Sequence, residues 1–272
     1  MEPIKIDEKT GIMYREWDAE DSRAVFLLVH GLSANTERWE FFGKFFADNS
    51  ISSYAIELRG FGKTKGPRGD IESLDAYINS IMGLYGIITE EHSSKKVFLV
   101  GESMGALISF IMAGSKRGKF SALICISPAF VSRLRFSFFT YASMFFAYLF
   151  RPKKYFFMPF NPKMCTRDEE YRKVMDVGSV GSRLVTARLL SELFFAQKRA
   201  CRIRRSVKLP VLFLIAGSDS MVDSKVSEKI FRDIGSPDKD IIVYPEMYHA
   251  LSVELGREKV FGDILRWILG RI

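Results

Sequence analysis

The chain is poor in cysteine and histidine, the residues that hold disulfide-rich and zinc-bound proteins together. Its 272 residues include three of each, and no two cysteines have C-x-x-C spacing. This scarcity excludes a disulfide framework, and the lack of metal-ligand spacing and of a dinucleotide fingerprint argues against a bound metal or cofactor. Cys125 lies in an apolar run and is expected to be a small buried hydrophobe. We therefore expect a protein of a reducing compartment, the cytoplasm, that needs no cofactor.

Long apolar runs are absent too. No stretch reaches the ~18 uninterrupted apolar residues that cross a bilayer, and residues 1–8 lack the apolar centre of a signal peptide. Hydrophobic residues nevertheless make up 47% of the chain and charged residues 26%, proportions that are ordinary for a globular protein with a sizeable core. The length fits one large α/β domain or two small ones.

Negative charge is in deficit, since the formal net charge is +8. The positive excess is spread along the chain, so we expect no nucleic-acid partner. Two clusters, Arg133 with Arg135 and Arg151 with Lys153 and Lys154, bracket a Phe-rich segment. This arrangement suits an anionic membrane surface, although an ordinary solvated basic face accounts for it equally well.

Hydrophobic patterning predicts the fold class. Short apolar strands alternate with helical segments up to Pro128, and the alternation resumes at residue 211. Alternation of this kind predicts an α/β protein with a mostly parallel central sheet and helices on both faces. The predicted strands cover residues 24–29, 52–58, 97–100, 122–127, 211–215 and 240–244, and the predicted helices include residues 72–92, 106–113, 224–234 and 258–270.

Residues 129–205 break the alternating pattern. They hold no convincing parallel strand, but they include a strongly aromatic segment and a more polar helical region around residues 183–200. We interpret them as an all-helical insertion after the sixth strand, forming a cap, or lid, over a site built from strand ends. The predicted core then consists of residues 1–128 and 206–272.

The most informative motif is G-x-S-x-G at residues 101–105. A predicted strand precedes it and a predicted apolar helix follows it, which is the context of a serine held at the tip of a sharp turn. The turn exposes the Ser103 hydroxyl and directs a helix N-terminus at any negative charge that develops beside it. Ser103 is therefore the predicted nucleophile.

A serine hydroxyl needs a base, usually a histidine that a carboxylate orients. His92 lies at a polar helix end and is expected to be solvated, whereas His30 ends a strand and suits a structural hydrogen bond. His249 is the remaining histidine. It lies in a loop after a strand and follows Ser103, in the chain order serine, acid, histidine. His249 is therefore the predicted base.

Two aspartates compete for the role of the acid. Asp219 directly follows the strand at residues 211–215, from which a carboxylate reaches inward to the imidazole, so we favour it. Asp223 precedes a predicted helix and suits an N-cap better. For the oxyanion of a tetrahedral intermediate we predict the backbone N–H groups of Met104 and of Leu32, which lies in the loop after the first strong strand.

These motifs resemble the α/β-hydrolases of the monoacylglycerol lipase and lysophospholipase family over nearly the whole chain. Glu57 and Glu102 depart from the aspartate and histidine that are more frequent there, without touching the predicted nucleophile, base or acid. The matching stretches are H-G-L at 30–32, R-W at 38–39, E-L-R-G-F-G at 57–62, G-E-S-M-G at 101–105, I-S-P at 126–128, L-V-T-A-R-L-L at 184–190, G-S-D at 217–219 and Y-H at 248–249.

The resemblance implies the α/β-hydrolase fold and a cap that forms an acyl-binding tunnel. The predicted cap is rich in aromatic residues, which bury large areas against an acyl chain. Phe138, Phe139, Phe145 and Phe146 are candidates for contacting the substrate. Some rings must pack the cap against the core, and we expect the surplus to be exposed and to touch lipid at a membrane.

These inferences lead to a serine hydrolase of lipid esters. The favoured reaction splits a monoacylglycerol into glycerol and fatty acid through an acyl-enzyme on Ser103. Lysophospholipase and short-chain carboxylesterase activity are the alternatives, and a lipid-binding protein with a hydrolase fold is the non-enzymatic one. An aminopeptidase is favoured less, since it needs an acidic patch in the cap to bind the amine of its substrate. The candidates for such a patch are Asp168, Glu169 and Glu170. The head group, the acyl-chain length and the oligomeric state stay open.

Overall fold

A central β-sheet organises the residues that the computed structural model describes, which are residues 2–115, 118–176 and 183–272. Its strands are β1 (Ile4–Ile6), β2 (Met13–Trp17), β3 (Ala24–Val29), β4 (Ile51–Ile56), β5 (Lys96–Glu102), β6 (Ala122–Ile126), β9 (Val211–Ala216) and β10 (Lys239–Tyr244). Their order across the eight-stranded sheet is β1-β2-β4-β3-β5-β6-β9-β10. The neighbours from β4 to β10 run parallel, whereas β2 pairs antiparallel with both β1 and β4.

Helices cover both faces of this sheet. The described helices are α1 (Glu40–Ala47), α2 (Leu74–Glu91), α3 (Met104–Gly114), α4 (Phe138–Phe150), α5 (Pro162–Cys165), α6 (Glu169–Asp176), α7 (Ala187–Ile203), α8 (Ser224–Asp233) and α9 (Arg257–Leu269). Strand β3 shows how the layers are made, because successive side chains point to opposite faces. Val25 and Leu27 pack with residues of α2 and α3, while Phe26 and Leu28 pack with residues of α1 and α9. The predicted α/β class with a mostly parallel sheet is confirmed.

Each strand predicted from the sequence is present, with ends displaced by no more than two residues. The N-terminal strands β1 and β2 were not predicted. Arg15, in the middle of β2, is buried and faces Glu37 at 3.6 Å. Strand β1 is largely exposed at the sheet edge. The charged Arg15 interrupts the apolar alternation of β2, and β1 has none because it lies at the edge of the sheet. Strands are recognised in a sequence by this alternation.

The sequence predicted an all-helical insertion at residues 129–205, but these residues also contain two short strands. Strands β7 (Tyr155–Phe157) and β8 (Leu184–Thr186) form a separate antiparallel pair. Three residues are too few to establish a periodicity, which is why the pair escaped prediction. The predicted insertion also includes residues 177–182, which lie outside the described residues.

Helix α7 packs the predicted insertion against the core. Its residues Leu189, Ala196 and Ala200 are buried in the same hydrophobic cluster as the α3 residues Leu107 and Ile111. Helix α4 has the opposite character, since Ala147 is its buried residue and most of its large apolar side chains are exposed. None of the described helices is long and apolar enough to cross a membrane.

Candidate active site

Ser103 lies at a sharp turn between β5 and α3. Its backbone has φ 58° and ψ −117°, a strained conformation for a residue with a side chain. The turn requires close backbone packing, because a Cβ added at Gly105 would lie 2.0 Å from the carbonyl oxygen of Val29. This is the strand–turn–helix arrangement that the sequence predicted around G-x-S-x-G.

The structure brings the three predicted catalytic side chains together from three different loops. His249 Nε2 lies 2.9 Å from Ser103 Oγ, and His249 Nδ1 lies 2.7 Å from Asp219 Oδ2. The three residues follow β5, β9 and β10, whose carboxyl ends meet at one edge of the sheet. With Nδ1–H donating to the carboxylate, Nε2 is free to accept the serine proton.

Asp219 is held as a charged carboxylate. Burial raises its pKa, but the neighbouring His249 ring and the N–H groups of Val222 and Met221 outweigh burial, so the pKa lies below its usual value. Both N–H groups donate to Asp219 Oδ1, at 2.9 and 2.8 Å, which leaves Oδ2 for the histidine. The carboxylate is therefore fixed in orientation as well as in charge.

The competing residues occupy structural positions. Asp223 caps α8 by accepting hydrogen bonds from the N–H groups of Lys225 and Val226, as its place before a helix predicted. The buried His30 bonds through Nδ1 to the Gly31 carbonyl, and its Nε2 accepts from Leu58 N at 3.1 Å. Burial lowers the pKa of His30, so the ring is neutral and structural.

The sequence suggested that His92 is solvated, but the structure shows it partly buried. It is half-buried at the end of α2, and its Nε2 lies 3.0 Å from the hydroxyl oxygen of Tyr54. The tyrosine belongs to β4 and is far from His92 in the sequence, so no local sequence pattern predicts the contact.

The two backbone N–H groups predicted to receive an oxyanion belong to Met104 and Leu32. Met104 is the first residue of α3, where an N–H has no partner within the helix. Leu32 lies in the loop after β3, next to Gly31, where an added Cβ would lie 3.1 Å from Ser103 Cβ. Within residues 2–115, 118–176 and 183–272, no hydrogen bond uses the N–H of either Leu32 or Met104. Both groups also border the cavity that contains Ser103.

Glu102, which precedes the serine, connects three parts of the site. It is buried and accepts hydrogen bonds from Ser252 N at 3.0 Å and Ser252 Oγ at 2.9 Å. Arg38 pairs with the same carboxylate at 3.1 Å. Because Ser252 lies three residues after His249, the carboxylate joins the serine turn to the histidine loop. The sequence showed Glu102 only as a departure from the usual family residue.

A second buried carboxylate, Glu254, fixes the other side of the histidine loop. It accepts from Tyr248 N at 2.9 Å and from Arg167 N at 3.0 Å, and it pairs with the Arg167 side chain at 3.3 Å. The contact joins the predicted cap to the residue before His249. Sequence reasoning missed this carboxylate, since nothing in its local pattern distinguishes it from a surface glutamate.

Ser103, His249, Leu32 and Met104 line a cavity of about 720 Å³. Most of the remaining wall is apolar, and helices α4 and α7 supply much of it. Its aromatic residues include Phe136, Tyr141, Phe145, Tyr148, Phe194 and Phe195. A cavity of this size and character accepts a hydrophobic ligand of small-molecule dimensions.

The four aromatic candidates of the predicted cap occupy two environments. Phe145 lines the cavity, although 61% of it is exposed. Phe138, Phe139 and Phe146 do not, and their exposed fractions are 80%, 81% and 59%. The sequence could not separate them, because helical periodicity does not show which exposed rings border a cavity. Among the described residues, no group of three His, Cys, Asp or Glu side chains is placed to hold a metal ion.

Comparison with known proteins places this geometry in a family. The profile of the serine aminopeptidase S33 family matches residues 20–256. A monoacylglycerol lipase of Mycolicibacterium smegmatis is 23% identical over 96% of this chain and 94% of its own length. The phospholipase YtpA of Bacillus subtilis is 25% identical over 90% of this chain and 95% of its own length.

Two further matches bear on length and fold. The uncharacterized protein YnbC of Escherichia coli is 24% identical over 96% of this chain, which spans 45% of the length of YnbC. The crystal structure of a soluble variant of monoglyceride lipase from Saccharomyces cerevisiae, in complex with a substrate analog, has a TM-score of 0.87 at 21% identity. The likeness covers 100% of this chain and 95% of that one. At this identity the likeness establishes the fold.

Proposed function

The chain belongs to the serine aminopeptidase S33 family of α/β-hydrolases, and on that premise we propose that it hydrolyses lipid esters as a monoacylglycerol lipase. The observation that carries the proposal is the Asp219–His249–Ser103 hydrogen-bond chain, with distances of 2.7 and 2.9 Å, at the wall of an apolar cavity. The three hydrogen-bonded side chains can perform acyl transfer, and the cavity can hold the acyl group of an ester. The relatives named as lipases and a phospholipase support this choice of substrate.

In the first half of the reaction, His249 Nε2 takes the proton of Ser103 Oγ as the oxygen attacks the ester carbonyl. The N–H groups of Leu32 and Met104 stabilise the resulting oxyanion, which forms at the N-terminus of α3. His249 then gives its proton to the leaving alcohol oxygen. Glycerol departs, and the acyl group stays on Ser103 as an ester.

The second half repeats these steps with water. His249 removes a proton from the water molecule as its oxygen attacks the acyl-enzyme carbonyl. The same two N–H groups hold the second oxyanion, and His249 returns the proton to Ser103 Oγ. Asp219 keeps the imidazole in the required tautomer in both halves and stabilises its charged form.

The cavity wall favours an acyl chain over a peptide. Each methylene buried from water contributes about 0.8 kcal/mol, so a long chain supplies much of the binding energy. A peptide N-terminus needs a carboxylate partner, but Glu102 in the described cavity wall is already paired with Arg38. Asp168 pairs with Arg257, and Glu169 and Glu170 are exposed on α6, outside the described cavity wall. We therefore do not propose aminopeptidase activity, although the family carries that name.

A substrate panel tests the proposal. Turnover is measured on monoacylglycerols of increasing chain length, lysophospholipids with matched acyl chains and short p-nitrophenyl esters. We expect kcat/KM for monoacylglycerols to rise from short to medium or long chains, because the added methylenes enter the apolar cavity. A preference for short soluble esters would make the protein a general carboxylesterase. Failure of a fluorophosphonate to label Ser103 would leave a lipid-binding protein.

We also propose that residues 129–205 act as a cap whose outer face touches the membrane. Phe138, Phe139, Phe146 and Phe150 of α4 are exposed by 59–81%. They lie on the helix that supplies Phe145 to the cavity wall. An exposed apolar surface of this kind favours an interfacial environment, and nearby basic residues favour anionic head groups. Lipid leaving such a surface enters the cavity without crossing water.

A flotation assay tests the membrane contact. The Phe138→Ser/Phe139→Ser/Phe146→Ser variant is expected to lose at least about half of its binding to anionic vesicles, because three buried rings contribute several kcal/mol. Its activity on a soluble short-chain ester should not change. The matched control is Ile6→Ser/Val243→Ser/Leu269→Ser, which removes three apolar side chains exposed elsewhere by 43–58%. Equal binding by both variants, or no binding by the unaltered protein, contradicts the proposal.

A further inference from the structure

Four consecutive residues of the proposed cap contact the chain segment that carries His249. The two segments are residues 165–168 and residues 248–257, and we call their contact the cap–histidine interface. The contacts are Cys165 O with Ala250 N at 2.8 Å, Thr166 Oγ1 with Val253 O at 3.1 Å, Arg167 Nε with Glu254 Oε1 at 3.3 Å and Asp168 Oδ2 with Arg257 Nη1 at 2.9 Å. A backbone bond, a side-chain bond and two ion pairs in a row hold the two segments together.

His249 is flanked by this interface on both sides along the chain. On one side, Ala250 N donates to the cap carbonyl of Cys165. On the other side, Tyr248 N donates to Glu254 Oε2 at 2.9 Å, and Glu254 is itself bonded to the cap. The backbone position of His249 therefore depends on contacts with the cap.

Arg167 joins the cap to Glu254 by both backbone and side chain. Its N–H donates at 3.0 Å and its side chain pairs at 3.3 Å, while its guanidinium lies 6.0 Å from the centre of the Tyr248 ring. The Glu254 side chain is fully buried. A buried carboxylate that loses its cationic partner is left uncompensated, so removal of the guanidinium disturbs the group to which Tyr248 N is bonded.

The side-chain partners of His249 belong to the core of the protein. Nε2 lies 2.9 Å from Ser103 Oγ, and Nδ1 lies 2.7 Å from Asp219 Oδ2. Proton transfer depends steeply on such distances, and a displacement of about 1 Å costs on the order of 10²-fold in rate. Because the cap holds the backbone of His249 and the core holds its side-chain partners, a cap displaced from the core moves the imidazole out of line.

We propose that Arg167 and Glu254 are positioning residues that make the alignment of His249 depend on the docked cap. The inference rests on the proposed ester hydrolysis and adds a role in catalysis to the cap, which otherwise supplies wall to the cavity. Neither residue lines the described wall of that cavity, so their effect passes through His249 and not through contact with substrate. The docked cap is then required even for a small ester that does not touch α4.

Replacement of the guanidinium tests the proposal on p-nitrophenyl acetate. Its two-carbon acyl group buries little apolar surface, so its KM depends little on the cavity wall. We expect Arg167→Met to lower kcat about ten-fold, with KM within about two-fold of the unaltered value, because the loss is one of alignment. Arg167→Lys keeps the charge without the planar fork and should recover part of the lost kcat.

The matched control is Lys163→Met. It removes the same charge from the cap, at an exposed position on α5 that lies outside the interface and outside the described cavity wall. Its kcat should equal that of the unaltered protein. An equal loss of kcat in this control overturns the proposal, and so does an Arg167→Met variant with unchanged kcat.

A double-variant cycle tests the route through Glu254. Glu254→Gln should lower kcat at least as much as Arg167→Met, and the combined variant should be no worse than Glu254→Gln alone, since residues that act through one another are not additive. Additive losses would mean that Arg167 acts by another route and would overturn the proposal. Where Glu254→Gln does not fold, the two Arg167 variants and the proton signal of His249 decide.

That signal comes from the proton between His249 Nδ1 and Asp219 Oδ2, which reports the alignment directly by proton nuclear magnetic resonance. Asp219→Asn removes the downfield signal and so assigns it. We expect the signal to weaken or shift in Arg167→Met and to persist in Lys163→Met, while the signal of His30 Nδ1, bonded to the Gly31 carbonyl, stays unchanged in both. An unchanged His249 signal with a lower melting temperature would reduce the interface to an anchor of the cap and overturn the proposal.

The same measurements separate this inference from the proposed function. Hydrolysis of esters by the unaltered protein, with unchanged kcat in Arg167→Met, overturns the positioning roles alone. If the unaltered protein hydrolyses no ester, the proposed function fails. The His249 signal and the rate at which a fluorophosphonate labels Ser103 then still test whether the cap aligns the histidine.

Discussion

Replacing Ser103 with alanine is expected to lower kcat for ester hydrolysis by about 10⁴-fold or more, since removal of a catalytic nucleophile leaves only binding and oxyanion stabilisation. Ser103 Oγ is the atom within 2.9 Å of His249 Nε2. Alanine keeps the Cβ and the turn, so the fold should persist. Turnover of a p-nitrophenyl ester, together with labelling by a fluorophosphonate, measures the effect.

The control for this substitution is Ser109→Ala. Ser109 is also buried, on α3, and its Oγ has no hydrogen-bond partner among the described residues. It does not line the described cavity wall, so activity and labelling should stay at the unaltered level. Retained turnover in the Ser103 variant, with a thermal melt like that of the unaltered protein, would refute the role of Ser103 as the nucleophile.

The second large effect is expected for Asp219→Asn, with a loss in kcat of about 10⁴-fold. Asparagine keeps the Oδ1 acceptor for Met221 N and Val222 N, so the loop should hold its shape. Its amide then replaces Oδ2 as the partner of His249 Nδ1 and donates a hydrogen bond to that nitrogen. The proton of the neutral imidazole moves to Nε2, which no longer accepts the proton of Ser103.

The matched variant, Asp223→Asn, distinguishes the two aspartates. Asp223 caps α8 through its side-chain oxygen, and asparagine is an equally good N-cap. We expect little change in kcat or in thermal stability. Steady-state kinetics and thermal unfolding of both variants check the assignment. Near-normal turnover with asparagine at 219 and a large loss at 223 would exchange their roles.

The sequence located the candidate catalytic residues because their signals are local. A tight turn needs glycines beside Ser103, and the chain order left His249 as the histidine after it. Asp219 could be favoured over Asp223 from its position after a strand. Which carboxylate reaches the imidazole was decided by the fold, which brings Asp219 Oδ2 to 2.7 Å from His249 Nδ1.

The supporting carboxylates were beyond the reach of the sequence. Glu102 and Glu254 bond to Ser252, Tyr248 and Arg167, partners that only the folded chain brings together. A buried glutamate and an exposed one look alike in a single sequence, because burial depends on the elements that pack above it. For the same reason, helical spacing could not show that Phe145 borders the cavity whereas Phe146, which is exposed to a similar degree, does not.

By itself, the sequence determined the α/β class, the order of the parallel strands along the chain and the strained turn at Ser103. These features depend on residue periodicity and on the local need for glycine, which neighbouring residues set. Tertiary structure alone decided the distances between Asp219, His249 and Ser103 and the apolar cavity that Ser103 and His249 line. Such features depend on how distant segments pack, and no short stretch of sequence records that packing.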